Sequence, residues 1–182
     1  MKSLPFACAL LAVSAIGVSA QTVKRPVAVA GQLPPKNAVP GKCTGNGLTQ
    51  EEATDILLAH NNARAAVGLK PVTWDCSIAG AAQGWASKSI AGHSDTFYGE
   101  NIFVALDGAE KATTAPDRWL SEAANWKNDG NCAPGKTCTH YTQIVWRGTS
   151  RIGCGINRQG TGKWRVILVC NYDIEARPGP AY

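Results

Sequence analysis

The placement of its cysteines constrains this chain more than any other feature. Seven are present, and one of them, Cys8, falls within the first twenty residues. That stretch reads as an export signal. Lys2 gives a positive start, an apolar run extends from Leu4 to Val18, and Val18-Ser19-Ala20 offers small residues for cleavage. The run is short for a membrane span and no second one follows it, so the expected product is secreted and soluble, beginning near Gln21, and extracellular or, in a bacterium, periplasmic. Six cysteines then remain: Cys43, Cys76, Cys132, Cys138, Cys154 and Cys170. In an exported protein an even set is best read as disulfide-paired. Thiolate ligation of a metal competes with that reading, but the CxxC spacing that favours it is missing.

Removal of residues 1–20 takes away Lys2 and no acid, which leaves 17 basic against 13 acidic residues, a formal charge of +4. The excess is mild. Basic residues thicken toward the C-terminal half (Lys127, Lys136, Arg147, Arg151, Arg158, Lys163, Arg165, Arg177), which suits an anionic surface or simply a solvated face. No nucleic-acid motif accompanies them, and the 162 residues left are enough for one domain with a proper core.

From residue 21 to 47 the chain carries Pro26, Pro34, Pro35 and Pro40 among few large apolar residues, a composition suited to an extended leader. The folded domain is expected from Leu48 onward. Thr49 stands three places before Glu52, a capping-box spacing in which hydroxyl and carboxylate satisfy the free backbone donors of a helix start. Apolar Ala53, Ile56, Leu57, Ala63, Ala66 and Val67 then recur at helical spacing until Gly68. A second helix is predicted from Ser77 to about Ser89 and a third from Pro116 to about Trp126.

The last third changes period. Residues 142–146, 151–157 and 164–172 are rich in β-branched and aromatic side chains and read as strands separated by glycine-bearing turns. Opposed residues of an antiparallel hairpin share a constant number sum. Setting Cys154 against Cys170 gives 324, centres the turn on Gly162, and aligns Ile156 with Leu168 on one face. Trp164, Val166 and Leu168 alternate with Ile167 and Val169, so this strand is apolar on both sides and calls for helices on both faces of the sheet. Residues 128–136 are polar and hold glycine and proline, a loop that Cys132 and Cys138 are placed to close.

Any imidazole chemistry must draw on His60, His93 and His140, the three histidines of the chain. His60, beside Asn61 and Asn62 in the first helix, fits a structural hydrogen-bonding role. His93 lies in a loop seven positions before Glu100. His140 opens the first predicted C-terminal strand, and Glu122 stands among apolar residues of the third helix, an odd place for an unpaired carboxylate. Spacing alone does not bring these four together, since no pair has the close interval of a zinc-binding helix.

The words around them do more. Gly92-His93-Ser94, Tyr98-Gly99-Glu100-Asn101, the run from Trp119 through Glu122 to Trp126, His140-Tyr141-Thr142-Gln143-Ile144-Val145-Trp146 and Cys170-Asn171-Tyr172-Asp173 resemble, in order, the signature segments of the CAP superfamily. His60-Asn61-Asn62-x-Arg64, Val67-Gly68 and Trp74-Asp75 are similar to its first-helix pattern, and the likeness spans about residues 48–173. The resemblance implies an α+β fold, a three-layer α-β-α sandwich with a central, mainly antiparallel sheet. It further implies a cavity in which His93, Glu100, Glu122 and His140 form a tetrad able to hold a divalent metal, most often zinc. Departures include Cys138-Thr139-His140 where the family commonly has Cys-Gly-His, and a tail running Ile174-Glu175-Ala176-Arg177-Pro178 in place of Pro-x-Gly-Asn. Beside the resemblance, the favoured disulfide set is Cys43 with Cys76, Cys132 with Cys138, and Cys154 with Cys170.

The implied function is that of a secreted binding module, not a conventional enzyme. Its ligand, by resemblance, is a sterol or fatty acid, walled by Phe97, Tyr98, Phe103 and Trp119. An extracellular protein or membrane surface is a further partner class, in host-microbe interaction or defence. The alternative is a metal-dependent hydrolase, a protease or esterase, in which zinc on His93 and His140 activates water and Glu100 or Glu122 moves protons.

Overall fold

The computed structural model describes Cys43, residues 46–127 and residues 129–182. The export signal and most of the leader expected over residues 21–47 lie outside the described residues.

Helix α1 (Gln50–Ala66) begins at the capping box: the Thr49 hydroxyl accepts from the Glu52 amide at 3.1 Å, and Glu52 Oε2 accepts from the Thr49 amide at 2.9 Å. It ends in a Schellman arrangement. The Gly68 amide donates to Ala65 O at 3.1 Å and the Leu69 amide to Arg64 O at 2.9 Å, a closure that needs the left-handed φ of +74° at Gly68. Its buried face joins Ala53, Ile56 and Leu57 to three polar residues, His60, Asn61 and Arg64.

Strand β1 (Thr73–Trp74) leads into helix α2 (Cys76–Ala86), whose first free amides, of Ser77 and Ile78, donate to Asp75 Oδ1 at 2.8 and 3.1 Å. The helix stops at Ala86, three residues short of the expected Ser89, which itself has a φ of 59°. Strand β2 (Gly99–Ala105) follows, then α3 (Thr114–Ser121) and a 3-10 turn (Glu122–Asn125). The third predicted helix therefore starts two residues early and tightens at Glu122.

A correction falls on residues 142–146. They were expected as a strand, but the chain forms a short helix, α4 (Thr139–Ile144). Local propensity favours the strand, and remote residues override it by serving both ends of the helix. Glu122 Oε2 accepts from the amides of His140 (3.0 Å) and Tyr141 (3.3 Å) in the first turn. Arg64 Nη1 donates to the carbonyl of Ile144, the last residue of the helix, and to that of Trp146 just beyond it, both at 2.9 Å.

The hairpin of β3 (Arg151–Asn157) and β4 (Val166–Tyr172) has the predicted register, with Cys154 opposite Cys170 and Ile156 opposite Leu168. The sheet runs β1-β3-β4-β2; β1 is parallel to β3 and the other pairings are antiparallel. Alternate residues of β4 serve two cores. Val166, Leu168, Cys170 and Tyr172 join Ile56, Leu57, Trp119, Ile144 and Val145 on one face, while Ile167 and Val169 meet Ala82 and Ala86 of α2 on the other. This is the three-layer α-β-α sandwich. The helix on the second face lies unusually close to the sheet. A Cβ at Gly153 would lie 2.2 Å from the Ala79 amide nitrogen, and one at Gly155 would lie 2.5 Å from Gln83 Cα.

Three disulfides tie the domain: Cys43–Cys76, Cys132–Cys138 and Cys154–Cys170. No helix among the described residues is long and apolar enough to cross a membrane.

Candidate functional site

A cavity of about 510 Å³ opens where the loop before β2, the start of β2, helix α4 and residues 175–179 meet. His93, Glu100 and His140 line it. Glu122 does not; it stands behind His140 and reaches the cavity only through that ring.

The two imidazoles are held alike. His93 Nδ1 lies 3.0 Å from Glu100 Oε1, and His140 Nδ1 lies 2.6 Å from Glu122 Oε1. A carboxylate only accepts, so Nδ1 carries the proton in each ring, and in the neutral ring Nε2 presents a lone pair. Both carboxylates are otherwise occupied as well. Glu100 accepts from the Ser94 amide at 2.8 Å and the Ser94 hydroxyl at 2.6 Å, while Glu122 takes the first amides of α4. Glu100 and Glu122 thus fix the rings and the backbone beside them. Among the described residues no group of three or more His, Cys, Asp or Glu is arranged to hold a metal ion. His93 and His140 each offer a cation one imidazole nitrogen, and the exposed carboxylate of Glu175 also lines the cavity.

Behind the cavity runs a buried chain of hydrogen bonds. His60, fully buried, donates from Nδ1 to Ile56 O at 2.7 Å, which leaves Nε2 to accept from the Tyr172 hydroxyl at 2.9 Å. That hydroxyl accepts in turn from Asn101 Nδ2 at 3.0 Å, and the same amide group donates to His140 O at 3.0 Å. Helix α1, the central strand β4, the edge strand β2 and helix α4 are thereby set to one another. Burial lowers the His60 pKa to about 4, despite the hydrogen bond to Ile56 O that favours the charged ring. Burial also pushes the Tyr172 hydroxyl well above its ordinary value. The network therefore keeps its neutral form. Trp119 wedges between the two histidines, edge-on to His60 at 6.4 Å and stacked on His140 at 6.0 Å.

The aromatics expected to wall a ligand site separate. Tyr98 lines the cavity. Phe97, its neighbour, is 81% exposed and packs on Tyr98 with ring centroids 4.4 Å apart. Phe103 packs against the main core, and Trp119 is buried beneath His140, because α3 and β2 turn those faces inward.

Sequence reasoning passed over Ser94, Asn101 and Gln143 as individual site residues. Gln143 pins the C-terminal segment across the cavity mouth, donating to Ile174 O at 3.0 Å and accepting from the Ala176 amide at 2.7 Å. Gly99 makes room for it, since a Cβ there would lie 2.4 Å from Gln143 Oε1. An uncharged polar residue in a short apolar segment is the signal that marks Gln143.

Residues 57–172 match the cysteine-rich secretory protein family, CAP. The chain belongs to the CAP family. Among its relatives, pathogenesis-related protein 1A of Nicotiana tabacum is 40% identical over 129 residues, covering 68% of this chain and 76% of that protein. A pathogenesis-related protein of the PR-1 type from Sambucus nigra is 42% identical over 132 residues, covering 69% and 77%. The fold of this CAP domain is shared by the crystal structure of NaASP2 with Zn2+ (TM-score 0.65, 24% identity, covering 76% of this chain and 88% of that one). It is shared too by venom allergen-like protein 4 of Schistosoma mansoni (TM-score 0.59, 24% identity, covering 70% and 90%). The domain is thus of the pathogenesis-related PR-1 type, and its three disulfides suit an oxidising, extracellular compartment.

Proposed function

We propose that this CAP domain is a secreted binding protein whose cavity holds a divalent metal, zinc in the first instance, between His93 and His140, and presents it to a ligand. One observation carries the reading: two imidazoles on one cavity each have Nδ1 fixed by a separate carboxylate. Such carboxylate–histidine pairs orient metal-binding rings and raise their basicity. The donor set fits a cation as a two-nitrogen site with its remaining positions open to water or ligand. When bound, the metal supplies an electrophilic centre. The protein's own part is to orient the rings and shape the hollow around them.

The names of the plant relatives support a role in defence or host-microbe interaction. For an apolar ligand such as a sterol or fatty acid, the support is the exposed Phe97 packed on cavity-lining Tyr98, an apolar lip beside a polar hollow. Hydrolysis draws less support from the geometry. Two imidazoles are fewer than the three protein ligands usual at a catalytic zinc, and Glu100 and Glu122 are each engaged in holding a ring.

Zinc competition against a chromogenic chelator tests the reading. The native protein is expected to take zinc from the chelator, and the double variant His93→Ala, His140→Ala to lose that ability while melting as a folded protein. Equal zinc uptake by both proteins would end the proposal.

A further inference from the structure

Residues 175–179 form one wall of the cavity, and the segment that carries them is held at two places. At the near end Gln143 clamps Ile174 O and the Ala176 amide, and Thr149 Oγ1 donates to the same carbonyl at 3.2 Å. At the far end the Arg147 amide donates to Ala181 O at 2.8 Å. Ala181 is fully buried in the main core, and Tyr182 packs against that core beside Tyr141. Burial, and then the Tyr182 phenol, push the Tyr141 hydroxyl up to about 12. Between the two ends, residues 177–180 make no hydrogen bond or ion pair with any of the described residues. Gly179 instead rests backbone to backbone on Gly130, where a Cβ would lie 2.9 Å from Gly179 Cα.

We propose that residues 177–182 are a swinging arm, hinged at the Gln143 clamp and latched by Ala181 and Tyr182, whose release opens one wall of the cavity to an incoming ligand. The two ends differ in what release costs. Gln143 is 4% exposed and uses both the oxygen and the nitrogen of its amide, so letting go there leaves a buried group short of partners. Release at the far end gives up one backbone hydrogen bond, the burial of one methyl group and a half-buried ring. Arg147 is exposed, so water replaces Ala181 O on its freed amide. The far end is therefore the one that yields. Pro178-Gly179-Pro180 suits an arm that moves as a piece: the rings stiffen it, and Gly179 makes its bend at a φ of 127° that glycine alone adopts freely. The proposal concerns entry to the cavity, whatever occupies it, and so goes beyond the metal reading.

Native-state hydrogen exchange on chelator-treated protein reads the latch without any substitution and independently of metal. Corrected for intrinsic rates, the Arg147 amide is expected to exchange at least about 100-fold faster than the core amides of β4, through an opening in which the Ala176 amide stays protected. Arg147 exchange as slow as that of β4 would mean that the arm leaves only on global unfolding. Ala176 exchange as fast as that of Arg147 would put the hinge elsewhere, and either result overturns the proposal. Modification by diethyl pyrocarbonate, mapped residue by residue, reads the consequence for the cavity. The His140 side chain is 28% exposed and that of His93 67%, while His60 is fully buried. Ala181→Glu sets a charge where the latch is fully buried and holds the arm out, so His140 is expected to react at least about threefold faster. His93 should react at its native rate, and an unreactive His60 reports an intact fold. Equal His140 rates in the native protein and the variant would overturn the gate. Should His60 react, the variant has unfolded, and the milder Tyr182→Ala takes its place with the same two outcomes.

Discussion

Glu122 binds His140 twice, taking the ring through Oε1 at 2.6 Å and the backbone amide through Oε2 at 3.0 Å. One carboxylate therefore both orients a cavity imidazole and caps the helix that carries it, so the site and the fold of α4 are set by the same contact.

Glu122→Gln keeps the size but replaces one acceptor with a donor, so either the ring or the amide loses its partner. Zinc affinity is expected to fall by about 10- to 100-fold, the usual cost of losing a supporting partner of a ligating histidine. Stability should fall by about 1 kcal/mol from the lost, half-buried hydrogen bond. Chelator competition and urea unfolding read the two effects, and an unchanged zinc affinity would show that Glu122 serves the helix alone.

The other end of α4 depends on Arg64, which is 1% exposed and donates to four carbonyls: Lys70 O, Ile144 O and Trp146 O at 2.9 Å, and Thr149 O at 3.0 Å. Burial lowers its pKa, an effect opposed by the nearby Asp173 charge. Lysine has three donors on a single nitrogen and cannot reach four carbonyls spread around a planar fork. Arg64→Lys is expected to destabilise the domain by roughly 2–4 kcal/mol, with each orphaned carbonyl costing about 1–3 kcal/mol. A change of under about 0.5 kcal/mol, the usual range for surface sites, would mean water replaces the lost donors.

These two contacts also mark the boundary of what the sequence makes legible. The capping box at Thr49 and Glu52, the end of α1 at Gly68 and the Cys154–Cys170 register are local or depend on one pairing, and alternation on β4 announces both flanking layers. Helix α4 is different. Its composition argues for a strand, and its ends are satisfied by Glu122 and Arg64, 18 and 80 residues away from their partners, which no window along the chain contains. Strand β2 was passed over as a strand for a related reason. Its Gly99 makes room for Gln143 and its Glu100 lines the cavity, and both weaken the strand pattern, while the pairing to β4 that stabilises it is non-local. The tetrad is named by resemblance, and spacing could not show that His93, Glu100 and His140 line one hollow with Glu122 behind the His140 ring.

The buried His60 gives the fold a pH dependence with a definite sign. Its pKa is about 4 in the folded protein against 6.5 as the ordinary value, so between those values the unfolded chain binds the proton and the folded chain does not. Stability is fully present above about pH 6.5, falls as pH drops, and the loss is complete below about pH 4. A shift of this size corresponds to roughly 3 kcal/mol. Asp75 and Asp173, both held below the usual carboxylate range, add their own loss at lower pH. Asp75 is held down first by the Ile78 amide; for Asp173, burial acts the other way and is outweighed by hydrogen bonds from Ser150 and Arg151. Urea unfolding at pH 7 and pH 4.5 should show the drop in the native protein. In His60→Gln, less stable at pH 7, most of the difference should vanish; an equal drop in both would assign it to other groups.

Glycines separate close packing from helix propensity within one element pair. Gly153 and Gly155 let α2 lie against β3, where a Cβ would meet helix backbone at 2.2 and 2.5 Å. Backbone cannot give way as a side-chain end does, so Gly155→Ala should push α2 outward, uncover Ile167 and Val169, and cost about 1–3 kcal/mol or more. Gly80 and Gly84 lie in α2 itself, and a Cβ at either meets nothing within 4 Å. Alanine there removes the entropy penalty of a helical glycine, so Gly80→Ala and Gly84→Ala should each stabilise by about 0.5–1 kcal/mol. Thermal unfolding of the three single variants is sufficient. Opposite signs for position 155 and positions 80 and 84 are expected, and a stabilising Gly155→Ala would mean that the helix does not sit on the sheet this closely.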